Sequence, residues 1–269
     1  MRASDRVWPI ALTLGAVFIW AHDRAWLSSP DDALPLLAAL PLLVWLSAPL
    51  RFESKSMAPD PRFLALAGVA SVAGIVAGFN LLLAIGWTAA LWAWLGIRLE
   101  SDSRDRLQRL LPLALLAFPW LTLDFPSLAW WFRISAAWSA EVFYQALGLE
   151  VQRVGCGLTV AHLPFDVAPA CSGIKALQSI LVGGTAFCFL QTRHRGLYWI
   201  GVLCLPLVAW LANTARVITI VATALSINPD FAEGWFHDVG GWAVVLGVFG
   251  LMWLAMRQIS RKMEIKPAL

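Results

Sequence analysis

Cys171, Arg216 and His237 are three reactive side chains in a chain that is otherwise nearly all hydrocarbon. Together they suit acyl transfer: a thiolate attacks a carbonyl, an imidazole moves a proton to the leaving amine, and a guanidinium stabilises the oxyanion or holds the substrate backbone. Cys171 follows Pro169 and precedes Ser172 and Gly173 where a helix is predicted to begin. Unpaired amides at such a terminus lower a thiol's pKa. Lys175, four residues on, shares a helical face with Cys171 and adds a positive charge that activates the thiol or receives an anionic group. Asn213, three residues before Arg216, shares its face and offers the guanidinium a hydrogen-bond partner. Asp238 adjoins His237, which does not oblige it to pair with the ring.

Each group also has a plainer reading. Cys171 is then a small membrane hydrophobe like Cys188 and Cys204, or half of a disulfide with Cys156. Arg216 would snorkel to outer headgroups, and His237 would be a structural interfacial histidine. The joint placement of the three groups argues for chemistry, and that placement depends on the helices.

Of the 269 residues, 59% are hydrophobic, 14% are charged and sixteen are Trp. This is too apolar for a soluble core in a solvated shell, so the chain reads as an all-α polytopic membrane protein. A crossing needs roughly 20 apolar residues for about 30 Å of hydrocarbon. Eight transmembrane candidates run approximately from Trp8 to Ala21, Ala33 to Leu50, Phe63 to Phe79, Leu81 to Ile97, Leu110 to Phe125, Ser172 to Thr192, Gly196 to Ser226 and Val239 to Met256. The third and fourth are divided only by turn chemistry at Gly78-Phe79-Asn80.

With the N-terminus inside, the inner segments carry Arg2, Arg6, Arg51, Lys55, Arg62, Arg98, Arg104, Arg106, Arg109, Arg193, Arg195, Arg257, Arg261, Lys262 and Lys266. The outer loops keep Arg24, Arg133 and Arg153. This positive-inside bias expects both termini in the cytoplasm, and the net charge of +3 then reflects topology rather than nucleic-acid binding. Ala21-His22-Asp23-Arg24 is a poor cleavage site, so the first run reads as a retained helix. Cys171 and His237 fall at outer helix ends, and Arg216, about 20 residues or roughly 30 Å along the seventh helix, reaches the same level.

One integral domain is the economical division: N-terminal helices 1–125, an extracytoplasmic segment 126–171, catalytic helices 172–257 and a basic tail 258–269. The extracytoplasmic segment opens with a stretch of mixed aromatics, Arg133 and Glu141, which suits an interfacial amphipathic helix. A short hairpin should follow over about 149–167, punctuated by Gly155, Gly157 and Pro164. His22, Asp23, His162, Asp166 and His194 form no metal-ligand spacing, and the four Cys lack a C-x-x-C pair, so neither metal nor other cofactor is expected. Gly183-Gly184 lies mid-helix and suits close packing rather than phosphate binding.

At Pro169-Ala-Cys-Ser-Gly-Ile-Lys-Ala-Leu177, Asn213-Thr-Ala-Arg216 and His237-Asp-Val-Gly240, the chain resembles the exosortase/archaeosortase family of membrane cysteine transpeptidases. The resemblance covers about Phe132 to Met256 and implies nucleophile, Arg and His roles for Cys171, Arg216 and His237. Ser172, Gly173, Lys175, Asn213 and Asp238 are the expected supporting or substrate-binding residues. It further implies a substrate secreted with a C-terminal sorting signal of the PEP-CTERM type: a short motif, a membrane helix and a basic tail. Cleavage would occur at the outer face of a bacterial inner membrane, in contact with lipid and often alongside exopolysaccharide machinery. Pro169 stands where many relatives carry an acidic residue, and Lys175 where Arg is common, which bears on subfamily and target motif. The competing class is a non-enzymatic component of polysaccharide export, in which Arg216 and Lys175 bind an anionic lipid-linked glycan and Cys171 is incidental. An inactive relative that binds sorting signals without cutting is a further alternative.

Overall fold

The computed structural model describes residues 3–28, 30–53, 58–167 and 173–264. They are mostly helical and group into two compact units, Met1–Phe125 and Pro126–Leu269.

The first unit contains α1 (Ala3–His22), a 3₁₀ turn (Ala25–Ser28), α2 (Pro30–Ser47), α3 (Pro61–Ala77), α4 (Asn80–Leu95), α5 (Ser101–Leu116) and α6 (Trp120–Asp124). The divide between α3 and α4 falls where the turn chemistry put it. Gly78 closes α3 at φ 63°, a left-handed conformation that a Cβ would strain. Asp124 then caps α4: its carboxylate accepts from the amides of Asn80 at 3.0 Å and Leu81 at 2.6 Å, where the helix dipole favours negative charge.

At the opposite end of α4, Glu53 donates its amide to Arg98 at 2.8 Å, Glu100 to Arg51 at 3.0 Å, and Arg106 reaches the Pro49 carbonyl at 2.7 Å. The basic segments at 51–53 and 98–106 therefore lie together. Val69 and Val76 on α3 are 70% and 83% exposed. Side chains of that kind in such numbers suit a surface wetted by lipid rather than water.

The fifth predicted span is corrected. α5 begins nine residues before Leu110, and its apolar part stops at Leu116; the chain breaks at 117–119 before the five-residue α6. Ser101–Arg109 forms an amphipathic first half, with Ser103 and Leu107 buried and Asp102 exposed.

The second unit contains α7 (Pro126–Ala146), strands β1 (Val151–Val154), β2 (Gly157–Val160) and β3 (Leu163–Asp166), then α8 (Ile174–Gln191), α9 (Arg195–Ser226), α10 (Pro229–Glu233) and α11 (Trp235–Glu264). Among the described residues only α9, with 32 residues and a window of mean hydropathy 1.6, has both the length and hydropathy of a full crossing. Six other helices carry apolar stretches of 10–17 residues.

α8 and α9 form an antiparallel pair held close by small residues. Gly201 faces the Cys188 sulfur, Gly184 faces Leu205, and Gly173 faces Asn213. α11 lies on them in the direction of α8, with Gly183 against Phe249, and Met256 beside Tyr198 and Cys188. The Gly183-Gly184 pair serves helix packing, as its mid-helix position suggested. His194 caps α9, its Nδ1 accepting from the Leu197 amide at 3.2 Å.

The hairpin of the sequence reading is a three-stranded antiparallel meander, β1-β2-β3, with Val151 opposite Val160 and Val160 opposite Leu163. Ala161 and His162 turn the second corner at φ 47° and 67°, the backbone of a two-residue primed turn without its usual glycine. α7 is also not laid across the bundle end. Trp210 donates its indole N–H to the Ser135 hydroxyl at 3.0 Å, and the Tyr144 hydroxyl donates to the Ile218 carbonyl at 2.6 Å. Nine residues of α7 thus run parallel to eight of α9. Ala136, Ala137, Ala140 and Tyr144 bury against Val217, Val221, Leu158, Val160 and Val167, forming a cap around the C-terminal end of α9.

Candidate active site

α9 is about 48 Å long at 1.5 Å per residue, well beyond the 30 Å of hydrocarbon. Asn213 and Arg216 sit two-thirds of the way along it, where the α7 and sheet cap begins. Gly173 marks the same level on α8, since it abuts Asn213. His237 is in the first turn of α11. Phe249, which meets Gly183, lies twelve residues beyond His237, while Gly183 lies nine residues beyond the first residue of α8. His237 and the start of α8 are therefore level to within about one turn. Cys171 and Ser172 lie outside the described residues, as do the side chains of Lys175, His237 and Asp238. Lys175 stands in the first turn of α8.

The contact between Gly173 and Asn213 is the tightest feature of this level. Gly173 is the N-cap of α8 at φ 76°, ψ −4°. A Cβ there would meet Asn213 Cγ at 2.5 Å and both its terminal atoms at 2.8 Å. Glycine is thus required twice, for the left-handed backbone and for space. Its N-cap residue, a glycine, gives α8 no side-chain cap, and the first amides of a helix have no partner within it.

Asn213 is 1% exposed, and neither Nδ2 nor Oδ1 has a hydrogen-bond partner. It does not hold the guanidinium of Arg216, the role suggested by their three-residue spacing. Arg216 is half-buried, and its carbonyl accepts the Thr219 hydroxyl at 2.9 Å. Gln178 on α8 is a second buried carboxamide, 1% exposed with Oε1 unpaired, and Thr214 Oγ1 is likewise buried and unpaired. Orphaned polar atoms at this density mark a place built for something other than packing.

Arg133, which the sequence reading left in an outer loop, ties α7 to the chain just after β3. From α7 its Nε donates to the Val167 carbonyl at 2.5 Å, and its guanidinium lies 3.8 Å from Asp166. The Val167 amide donates in turn to the Cys156 carbonyl at 3.3 Å. Val167 is thus held by Arg133, and Gly173 is packed against Asn213. α7 is further tied to β1 by the half-buried Arg153 and Glu141 pair at 2.6 Å. Only a contact map reveals Arg133, whose partner is 34 residues away in sequence.

Cys156 is a free, half-buried thiol packed against the apolar cap cluster. No group of three metal-ligating side chains occurs among the described residues.

A family model described as transmembrane exosortase matches residues 7–254. No curated relative and no solved structure matches the chain.

Proposed function

The chain belongs to the transmembrane exosortase family, and from that premise we propose that it is a membrane cysteine transpeptidase or protease. Its substrates are secreted proteins with a tripartite C-terminal sorting signal, cut at the outer face of the bacterial inner membrane while both termini of the enzyme face the cytoplasm. The Cys171 thiolate adds to the scissile carbonyl and forms a tetrahedral oxyanion. The C–N bond then breaks as His237 delivers a proton to the leaving amine, leaving a thioester on Cys171. Water or an acceptor amine attacks the thioester, gives up a proton, and regenerates the thiol. Arg216 holds the substrate backbone near the reacting carbonyl.

The observation that carries this reading is the convergence of the α8 start, the Asn213 and Arg216 level of α9 and the first turn of α11. A second support is the start of α8 three residues after Cys171, since a helix N-terminus favours thiolate.

The test co-expresses a secreted protein bearing such a signal, taken from the same genome, with wild type and with Cys171→Ala, Arg216→Ala and His237→Ala. Loss of the C-terminal tail is followed by gel shift. Wild type is expected to process it, and each variant to stop. Continued processing by Cys171→Ala would remove the thiol from the mechanism.

A further inference from the structure

The geometry points to Asn213 as a catalytic residue in its own right: its carboxamide, with the first amides of α8, forms the pocket that receives the oxyanion of the tetrahedral intermediate. This inference rests on the cysteine reading above and gives the oxyanion to Asn213 and the α8 amides, leaving Arg216 to the substrate backbone.

Three observations combine. The carboxamide is almost fully buried with both terminal atoms unpaired. A buried amide left so is destabilising unless a ligand completes it, because it has lost water and gained nothing. It lies flat against Gly173, so it faces the N-terminus of α8, and any Cβ at that position would displace it. That terminus receives no side-chain cap from its N-cap residue, which this contact keeps as glycine. The unpaired carboxamide of Asn213 and the first turn of α8 thus adjoin one another at Gly173.

An oxyanion is the ligand whose chemistry fits. It accepts from two or three N–H donors, it is stabilised by the positive end of a helix dipole, and it exists only during reaction, so the resting donors stay unpaired. During addition the carbonyl π electrons move onto oxygen, where Asn213 Nδ2–H donates to them. On collapse they return to re-form C=O as the C–N bond breaks, so Asn213 gains and loses no proton.

The experiment uses the full-length enzyme in detergent with Asn213→Ala and the shape-keeping Asn213→Leu. Two rates are measured: processing of the co-expressed sorting-signal protein after purification, and alkylation of Cys171 by iodoacetamide across pH. Alkylation builds no oxyanion and reports only whether the thiol is formed and ionised as in wild type. Both variants are expected to lose about 10²–10³ in kcat, the usual effect of removing one such donor. KM and the pH profile of alkylation should stay close to wild type. Processing within about threefold of wild type in either variant would overturn the assignment. So would alkylation falling in parallel with processing, since Asn213 would then only support the thiol segment. Failure of the underlying cysteine reading is seen separately, as Cys171→Ala processing at the wild-type rate.

Discussion

Gly173→Ala probes the most constrained contact at the site, and its effect divides into two parts that can be measured separately. An alanine at φ 76° costs about 1–2 kcal/mol for the left-handed backbone. Its Cβ would also enter the space of Asn213 Cγ, 2.5 Å away, and such overpacking typically costs about 1–3 kcal/mol. The sum of about 2–5 kcal/mol corresponds to a fall in melting temperature of roughly 5–15 °C for a chain of this size. Thermal unfolding in detergent, followed by Trp fluorescence, reads it. Asn213→Ala removes the obstruction but leaves the backbone unchanged. In that background Gly173→Ala should therefore cost only the conformational part, giving a favourable coupling of about 1–3 kcal/mol. If the two substitutions add to within about 0.5 kcal/mol, the contact is not what requires glycine and the packing argument fails.

Arg133→Ala should release the chain at Val167, lowering stability by about 1.5–3 kcal/mol, the range for a charged hydrogen bond, and slowing both substrate processing and Cys171 alkylation; Arg133→Lys should not restore the Nε geometry, and an unchanged alkylation rate in Arg133→Ala would refute the tether. Tyr144→Phe should cost about 0.5–1.5 kcal/mol by removing the bond to the Ile218 carbonyl, read as a shift in thermal unfolding. Burial pushes the Tyr144 hydroxyl up from 10.0 to about 12. The folded state thus holds this proton more tightly, and its contribution is complete below pH 10 and fades as pH rises toward 12. Alkaline melts of wild type should show that decline, and Tyr144→Phe should flatten it. Asp124→Ala leaves the Asn80 and Leu81 amides uncapped and should destabilise the protein by about 1–2 kcal/mol, again read by thermal unfolding, with a null effect refuting the cap.

Much of the architecture was legible because hydropathy and turn chemistry are local. Gly78-Phe-Asn80 located the divide between α3 and α4, and the apolar runs recovered the cores of α1, α2, α8, α9 and α11. α5 was misplaced because a search for uninterrupted apolar residues discards Ser101–Arg109, whose helix is amphipathic. The third strand was missed because Ala161-His162 carries no turn signal and Pro164 argues against a strand except at an edge, where β3 lies. α7 has the composition of an interfacial helix, yet Ser135 and Tyr144 fix it alongside α9 through contacts 75 and 74 residues apart in sequence. The site divides in the same way. Residue types and helix ends pointed to Gly173, Asn213 and Arg216, while the hold of Arg133 on Val167 and the empty carboxamide of Asn213 are properties of tertiary structure alone.

The continuity of α9 also makes it a ruler. From Arg195 to Arg216 the helix runs unbroken, a rise of about 32 Å. If, as proposed, Arg195 lies at the inner headgroups and Arg216 at the site, the plane of reaction is gauged from the inner side and not from the outer surface. On the proposed reading, a substrate whose own basic tail rests on the same inner surface is measured against that length. Each helical turn added to or removed from its membrane segment would move the scissile bond by about 5.4 Å, more than the reach of a thiolate. Selection would then depend on the length of the substrate's membrane helix as much as on the motif beyond it.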